Sequence, residues 1–136
     1  MDPVLKILKQ DARLTTSQIA DRLDLDEAEV ARRIQTAEEE GAILGYHAVV
    51  DPERAGDKNV SAIIEVKLTP EREGGFDRLA KRIAQFEQVT DCHLMSGGYD
   101  LLLTVAGPDL REVARFVSEK LSSLFGVQGT ATHFQL

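Results

Sequence analysis

The sequence has a single cysteine, only three histidines and no long apolar run. One cysteine, Cys92, excludes an internal disulfide framework. No apolar stretch approaches the roughly 20 residues that a helix needs to span a bilayer, so we expect no membrane partner. The opening Met1-Asp2-Pro3 has no basic region followed by an apolar core, so we expect no signal peptide. With 136 residues, these features favour a cytoplasmic protein of one or two small domains.

Sequence patterns that carry catalytic or metal chemistry are also missing. No P-loop, G-x-G-x-x-G motif or Ser-His-Asp order stands out. The histidines, at positions 47, 93 and 133, are widely spaced along the chain. Cys92 and His93 are neighbours on a predicted strand, so their side chains point to opposite faces. We therefore predict that the protein is not an enzyme, uses no cofactor and binds no metal ion.

The N-terminal part of the chain contains three helical patterns. Apolar residues at helical spacing indicate the first helix. Thr15, followed three positions later by Gln18, resembles a capping box and predicts the start of the second. Asp26 is predicted to cap the third helix, with Glu29 at the reciprocal position and Gly41 just beyond its end. Two consecutive helices of about 8 and 14 residues after a first helix have helix-turn-helix spacing.

The pattern changes after the third helix. Residues 43–50 are predicted to form a strand, and the polar stretch 51–59 is predicted to be a linker. From residue 60 apolar residues alternate with polar ones, which predicts a strand over 60–68. A loop over 70–75, a helix, strands over 89–95 and 100–106, a second helix and a strand over 127–136 follow. The order β-α-β-β-α-β is the ferredoxin-like plan, so the fold class is α+β.

In this plan the two helices cover one face of the sheet and leave the other face bare. Depending on strand register, Ile63 and Leu102 fall on the bare face. Because an exposed apolar sheet face usually finds a partner, we expect a homo-oligomer joined through the sheets.

The loop Ser96-Gly97-Gly98-Tyr99-Asp100 connects the second and third predicted strands. Glycine permits a positive φ, so a hairpin turn is one interpretation. Glycine also lets a ligand approach the backbone, where N–H groups can bind a carboxylate. Asp100 would then receive an ammonium group. The two interpretations are compatible, and the second predicts a site for an amino acid or a similar small molecule.

Four stretches, taken together, are similar to the Lrp/AsnC family of bacterial and archaeal transcription regulators: DARLTTSQIADRL, VARRIQTAEEEGAILGYHAVVDPERAG, SGGYDLLLTV and GVQGTATHFQL. The resemblance covers nearly the whole chain. It implies a winged helix-turn-helix domain over residues 1–50, the linker over 51–59, and an effector-binding and oligomerisation domain over 60–136. It also implies homodimers that assemble further, often into octamers, with an amino acid or related metabolite bound between dimers.

The resemblance also implies which residues contact promoter DNA. The N-terminal part of the third helix would face base edges in the major groove, which gives Glu27, Ala28, Glu29, Arg32 and Arg33. An arginine there can contact phosphate or pair with guanine, and a glutamate can accept a hydrogen bond from cytosine. Thr16 and Ser17 open the preceding helix, whose N–H groups can hold a phosphate.

The charge of the N-terminal region opposes DNA binding. Residues 1–55 contain seven basic and twelve acidic residues, a net charge of −5, and the whole chain carries −7. Phosphate contacts need Lys and Arg, so we expect weak, salt-sensitive DNA binding by each helix-turn-helix domain. Several such domains in one oligomer can offset this weakness, since linking binding domains raises the overall affinity by roughly 10²–10⁴.

Two alternatives to a DNA-binding regulator remain open. Sirohaem decarboxylases resemble the same two-domain plan, but they would need basic residues and histidines around a tetrapyrrole. The Gly-x-Tyr-Asp loop and the few histidines point away from such an enzyme. The other alternative is a ligand-sensing assembly module that has lost DNA binding.

Overall fold

A computed structural model describes residues 1–70 and 75–136 of the chain. They form two compact units, an N-terminal unit of residues 1–50 and a C-terminal unit of residues 51–136. Most of the loop predicted over residues 70–75 lies outside the described residues. Within the described ranges, no helix has the length and apolar character that crossing a bilayer requires.

The N-terminal unit contains the three predicted helices: α1 (Pro3–Gln10), α2 (Thr16–Leu23) and α3 (Glu27–Glu39). Their apolar stripes meet in a small core built on Val4, Ile19, Ala20 and Val30. The predicted capping box at α2 is confirmed. The Gln18 N–H donates to the Thr15 hydroxyl at 3.1 Å, and the Gln18 side-chain oxygen accepts from the Thr15 N–H at 2.9 Å.

The predicted N-cap position of α3 is confirmed, but the predicted capping hydrogen bonds are absent. Asp26 is the N-cap residue, but its side chain accepts no hydrogen bond from the helix. Glu29 does not reach back to the cap either, because its carboxylate is held by Arg32 and Arg33 on the same helix. The Glu29 carboxylate accepts three hydrogen bonds from the two guanidinium groups, so the reciprocal capping bond is not formed.

The strand predicted over residues 43–50 is also absent. The segment has no regular structure, and Leu44 and Val49 are 96% and 95% exposed. A strand requires a neighbour for its backbone groups, and no described strand of the chain pairs with this segment. The following stretch, predicted as linker, contains a one-turn helix α4 (Pro52–Ala55), which the Asp51 carboxylate caps through the N–H groups of Glu53 and Arg54.

The C-terminal unit has the predicted ferredoxin-like plan. Strands β1 (Val60–Leu68), β2 (Val89–Leu94), β3 (Leu101–Gly107) and β4 (Val127–Phe134) form an antiparallel sheet in the order β2-β3-β1-β4. Helix α5 (Asp77–Ala84) follows β1. Helix α6 (Leu110–Phe116) follows β3 and continues as a π-helical turn, Val117–Leu121.

One face of the sheet carries the core of this unit. Alternate residues of β1 and β3 are fully buried there against α5 and α6, and the Phe86 and Phe116 rings meet edge to face at 5.6 Å. The opposite face carries no helix of the described unit. Register pairs Ile63 with Thr104 and Glu65 with Leu102, so the prediction that Ile63 and Leu102 share the bare face is confirmed. Ile63 is 44% exposed.

Candidate effector site and DNA-binding surface

The loop over residues 95–100 joins β2 to β3 and is closed by Asp100. The Met95 N–H donates to the Asp100 carbonyl at 2.9 Å, across the base of the loop. The Asp100 N–H donates to the Val66 carbonyl on β1 at 2.9 Å. Its carboxylate Oδ2 accepts from the Leu68 N–H at 2.7 Å. The side chain therefore takes the place of the next backbone acceptor on β3 and extends the pairing with β1.

This geometry gives Asp100 a structural role that the sequence analysis did not include. The prediction had assigned the carboxylate to a ligand ammonium, but one of its oxygens is committed to β1. Asp100 is half-buried, and it is not among the residues that line the cavity beside the loop.

The two glycines of the loop differ. Gly97 has φ +116°, a conformation that a residue with a Cβ rarely adopts. Gly98 has no positive φ, and a Cβ built on it meets no atom within 4 Å. Gly97 is therefore needed to form the turn, while both glycines leave open space beside the backbone.

A shallow cavity of about 220 Å³ lies beside this loop, on the bare sheet face. Of the five predicted effector residues, Gly98 and Tyr99 line it, whereas Ser96, Gly97 and Asp100 do not. The other lining residues come from strands β1 and β4: Glu65, Lys67, Gly129, Thr130 and Ala131. The cavity thus joins part of the predicted loop to β1 and β4.

Glu65 and Lys67 are the residues that sequence reasoning missed. They alternate with the buried residues of β1, so they project on the bare face, and they bring opposite charges to one cavity. Glu65 Oε2 lies 2.7 Å from His133 Nε2 on β4. The signal was present in the strand alternation, but only the pairing of β1 with β4 brings these residues beside the loop.

A larger cavity of about 270 Å³ lies elsewhere in this unit, lined by Asn59, Gln88, Phe116 and their neighbours. Its charged residues, Glu87 and Glu112, are both acidic. It offers no cation for a carboxylate, so it suits an amino acid less well than the loop cavity. No three described His, Cys, Asp or Glu residues are grouped closely enough to hold a metal ion.

The predicted DNA-binding residues of the N-terminal unit fall on the start of α2 and the first half of α3. The Thr16 hydroxyl donates to the Glu27 carboxylate at 3.0 Å, which links the two helices. Thr16 is thus engaged within the unit, and Glu27 holds a negative charge near the start of α2, where a phosphate was predicted. Ser17 and Ala28 are exposed.

Glu29 is the centre of an ion cluster on α3. Arg32 donates to it through Nε at 2.9 Å and Nη2 at 2.7 Å. Arg33 donates through Nε at 2.9 Å, and its Nη1 lies 3.5 Å from Asp2, the N-cap of α1. The hydrogen bonds from Arg32 and Arg33 lower the pKa of Glu29 from 4.5 to about 2, so it is ionised at any physiological pH.

The two arginines of this cluster are not equivalent. The Arg32 side chain is 63% exposed, whereas that of Arg33 is 29% exposed and lies between Glu29 and Asp2. Asp2 was not predicted to have any role in this surface. Its pairing with a residue 31 positions away depends on how α1 packs on α3, which the sequence does not reveal.

Comparison with known proteins shows the family. Residues 61–136 match the Lrp/AsnC ligand-binding domain, and residues 4–43 match a winged helix-turn-helix DNA-binding domain. The uncharacterized HTH-type transcriptional regulator YugG of Bacillus subtilis is 42% identical over 98% of this chain and 81% of its own length. The proline dehydrogenase transcriptional activator of Rhizobium radiobacter is 33% identical over 95% of this chain and 82% of its own length.

A solved structure agrees with this assignment. The transcriptional regulator NMB0573 of Neisseria meningitidis, in complex with L-Met, aligns with a TM-score of 0.70 and 26% identity, over 98% of this chain and 86% of that one. The chain therefore belongs to the Lrp/AsnC family and is a transcriptional regulator with a helix-turn-helix domain followed by an Lrp/AsnC ligand-binding domain.

Proposed function

We propose that the protein binds promoter DNA through α2 and α3 and responds to an amino acid, or a related small metabolite, bound in the cavity beside the 95–100 loop. The observation that carries the proposal is the pair of opposite charges, Glu65 and Lys67, in a cavity that Gly98 and Tyr99 also line. This arrangement matches a zwitterion.

The charges suit a ligand that has a carboxylate and an ammonium on one carbon. Glu65 and Lys67 are two residues apart on one strand, so their Cα atoms are separated by roughly 7 Å. A small zwitterion fits between them, with its carboxylate toward Lys67 and its ammonium toward Glu65. The backbone at Gly98 is approachable, because no side chain shields it. Relative to the prediction from sequence, Glu65 replaces Asp100 as the acceptor for the ammonium, because Glu65 lines the cavity and Asp100 does not. His133 contacts Glu65 Oε2, which leaves Oε1 for the ligand.

Relatives support the choice of an amino acid. The regulator of Neisseria meningitidis was solved with L-Met, and a relative from Escherichia coli, 28% identical over 96% of this chain, is named leucine-responsive regulatory protein. The carboxylate and ammonium are common to these amino acids. The other residues that line the site would contact the side chain of the effector and so determine which amino acid binds.

The open form of the cavity supports a site between subunits. Binding sites usually bury about 70–90% of a ligand, and a shallow cavity on one chain buries less. A second copy of the bare sheet face can supply the missing wall. We propose a homodimer that assembles further, with an octamer as the expected assembly, and effector sites between dimers. The effector can shift this assembly only if it binds one arrangement more tightly than another.

The test is a mobility-shift assay with a DNA duplex taken from directly upstream of the chain's own coding sequence, at low salt, with each common amino acid in turn. We expect a complex at micromolar protein that at least one amino acid strengthens or weakens. Glu65→Gln should abolish that response and leave the complex intact. Glu119→Gln removes the same charge from the other side of the sheet and should respond like the wild type.

The two halves of the proposal fail separately in this assay. Absence of a complex at micromolar protein and low salt would overturn the DNA-binding half. A complex that no amino acid alters would overturn the effector half.

A further inference from the structure

We propose that Glu29 is a positioning residue for base recognition, which holds Arg32 so that the free edge of its guanidinium pairs with guanine in the major groove. The inference rests on the proposed DNA binding by the N-terminal unit and adds to it the base that is recognised and the way in which the arginine is aimed.

The hydrogen bonds of Arg32 define which edge is free. A guanidinium has five N–H donors in a fixed plane. The Glu29 carboxylate accepts one hydrogen bond from Nε at 2.9 Å and one from Nη2 at 2.7 Å, a bidentate pair on the side edge of the guanidinium. The end of the group, with one donor on Nη1 and one on Nη2, makes no hydrogen bond to any described residue. Two parallel donors of this spacing match the O6 and N7 acceptors of guanine.

The position of Arg32 on α3 suits this task, and that of Arg33 does not. Arg32 is mostly exposed, while Arg33 is held between Glu29 and Asp2 and is more than two-thirds buried. Arg33 therefore fixes Glu29 from the inner side, and Arg32 is presented on the outer side. The pair of arginines also offsets the charge of Glu29, so the carboxylate does not meet DNA as an isolated anion.

The neighbours of Arg32 leave room for DNA. Ala28, one turn before Arg32, is exposed and carries only a methyl group, and Ala31 is exposed as well. Small residues let a helix approach the base edges closely, and their methyl groups can contact thymine. An arginine that is already held in place also loses less rotamer freedom when it binds, which favours a specific contact over a loose phosphate contact.

The experiment is selection of binding sites from a pool of random-sequence DNA duplexes by the full-length protein, followed by sequencing. Wild type, Glu29→Gln and Arg32→Lys are compared with Glu38→Gln. Glu38→Gln is the matched control, because it removes the same charge from an exposed position in the last turn of α3, outside the predicted DNA-binding residues. Affinity for the unselected pool is measured in parallel at two salt concentrations.

We expect the wild type to enrich a motif with guanine at one fixed position in each half-site. Glu29→Gln should lower that preference by up to roughly 5- to 150-fold, the range for loss of one bidentate contact. Its affinity for the unselected pool should stay the same or rise, since a negative charge is lost. Arg32→Lys should lose the same preference and keep the salt dependence, because lysine keeps the charge but has no planar fork. Glu38→Gln should keep the preference.

The outcomes separate this inference from the proposed function. A wild-type motif that Glu29→Gln reproduces would overturn the role of Glu29 and leave DNA binding in place. No enriched motif with the wild type would overturn sequence-specific DNA binding, and this inference with it. If Glu29→Gln melts early in a thermal scan, Arg32→Lys decides the outcome, since it leaves the link between Arg33 and Glu29 intact.

Discussion

Replacing Asp100 by alanine should destabilise the C-terminal unit, because the Asp100 carboxylate accepts a hydrogen bond from the backbone of β1. The substitution removes the acceptor of the Leu68 N–H, which makes a part-buried hydrogen bond of 2.7 Å to the Asp100 carboxylate. Loss of a charge-assisted bond of this kind costs about 1.5–3 kcal/mol, and the orphaned N–H contributes to that cost. For a domain of this size, we expect Tm to fall by roughly 10 °C.

Thermal unfolding followed by circular dichroism measures this, at one fixed protein concentration because an oligomer's Tm depends on it. Asp100→Asn is the matched control: its side-chain oxygen can still accept from Leu68, so it should lose less than half as much. Glu65→Gln changes a residue in the cavity beside the same loop and should melt within a few degrees of the wild type. The reasoning is refuted if Asp100→Ala melts with the wild type, or if Asp100→Asn and Asp100→Ala lose equal stability.

Three further outcomes follow from the same structure. Gly97→Ala should lower the free energy of unfolding by about 1–2 kcal/mol, because a residue with a Cβ is strained at φ +116°. Gly98→Ala should leave it nearly unchanged, and equal urea midpoints for the two variants would contradict this. Ile63→Lys on the bare sheet face should lower the mass seen by light scattering, while Leu110→Lys on the helical side should not; an unchanged mass would exclude that face as the interface. The folded-state pKa of Glu29 is depressed to about 2, so its stabilising contribution is present above pH 4.5 and is lost as pH falls toward 2. The free energy of unfolding in urea should therefore fall less on acidification in Glu29→Gln than in the wild type.

The helices and strands could be predicted from sequence where the signal was local. The capping box at Thr15 and Gln18 and the alternation along β1 each lie within a few residues, and both were confirmed. The predicted strand over 43–50 failed because a strand is completed by a partner, and no described strand pairs with it. At the start of α3 the N-cap position at Asp26 was predicted correctly, but the reciprocal bond from Glu29 is absent because its carboxylate is bound by arginines on the same helix.

The candidate site was predicted only in part, for the same reason. The loop and its glycines were visible in the sequence, but the bond between Asp100 and Leu68 joins residues 32 positions apart. Glu65 and Lys67 looked like ordinary solvent-facing strand residues until the pairing of β1 with β4 brought them beside the loop.

Calorimetric titration of the full-length protein with each common amino acid tests the proposed sensing site most directly. We expect at least one amino acid to bind, with affinity reduced roughly tenfold or more in Glu65→Gln and in Lys67→Gln and little changed in Asp100→Asn. If no amino acid binds the wild type, or if both cavity variants bind as tightly as the wild type does, then the effector does not occupy the cavity beside the 95–100 loop.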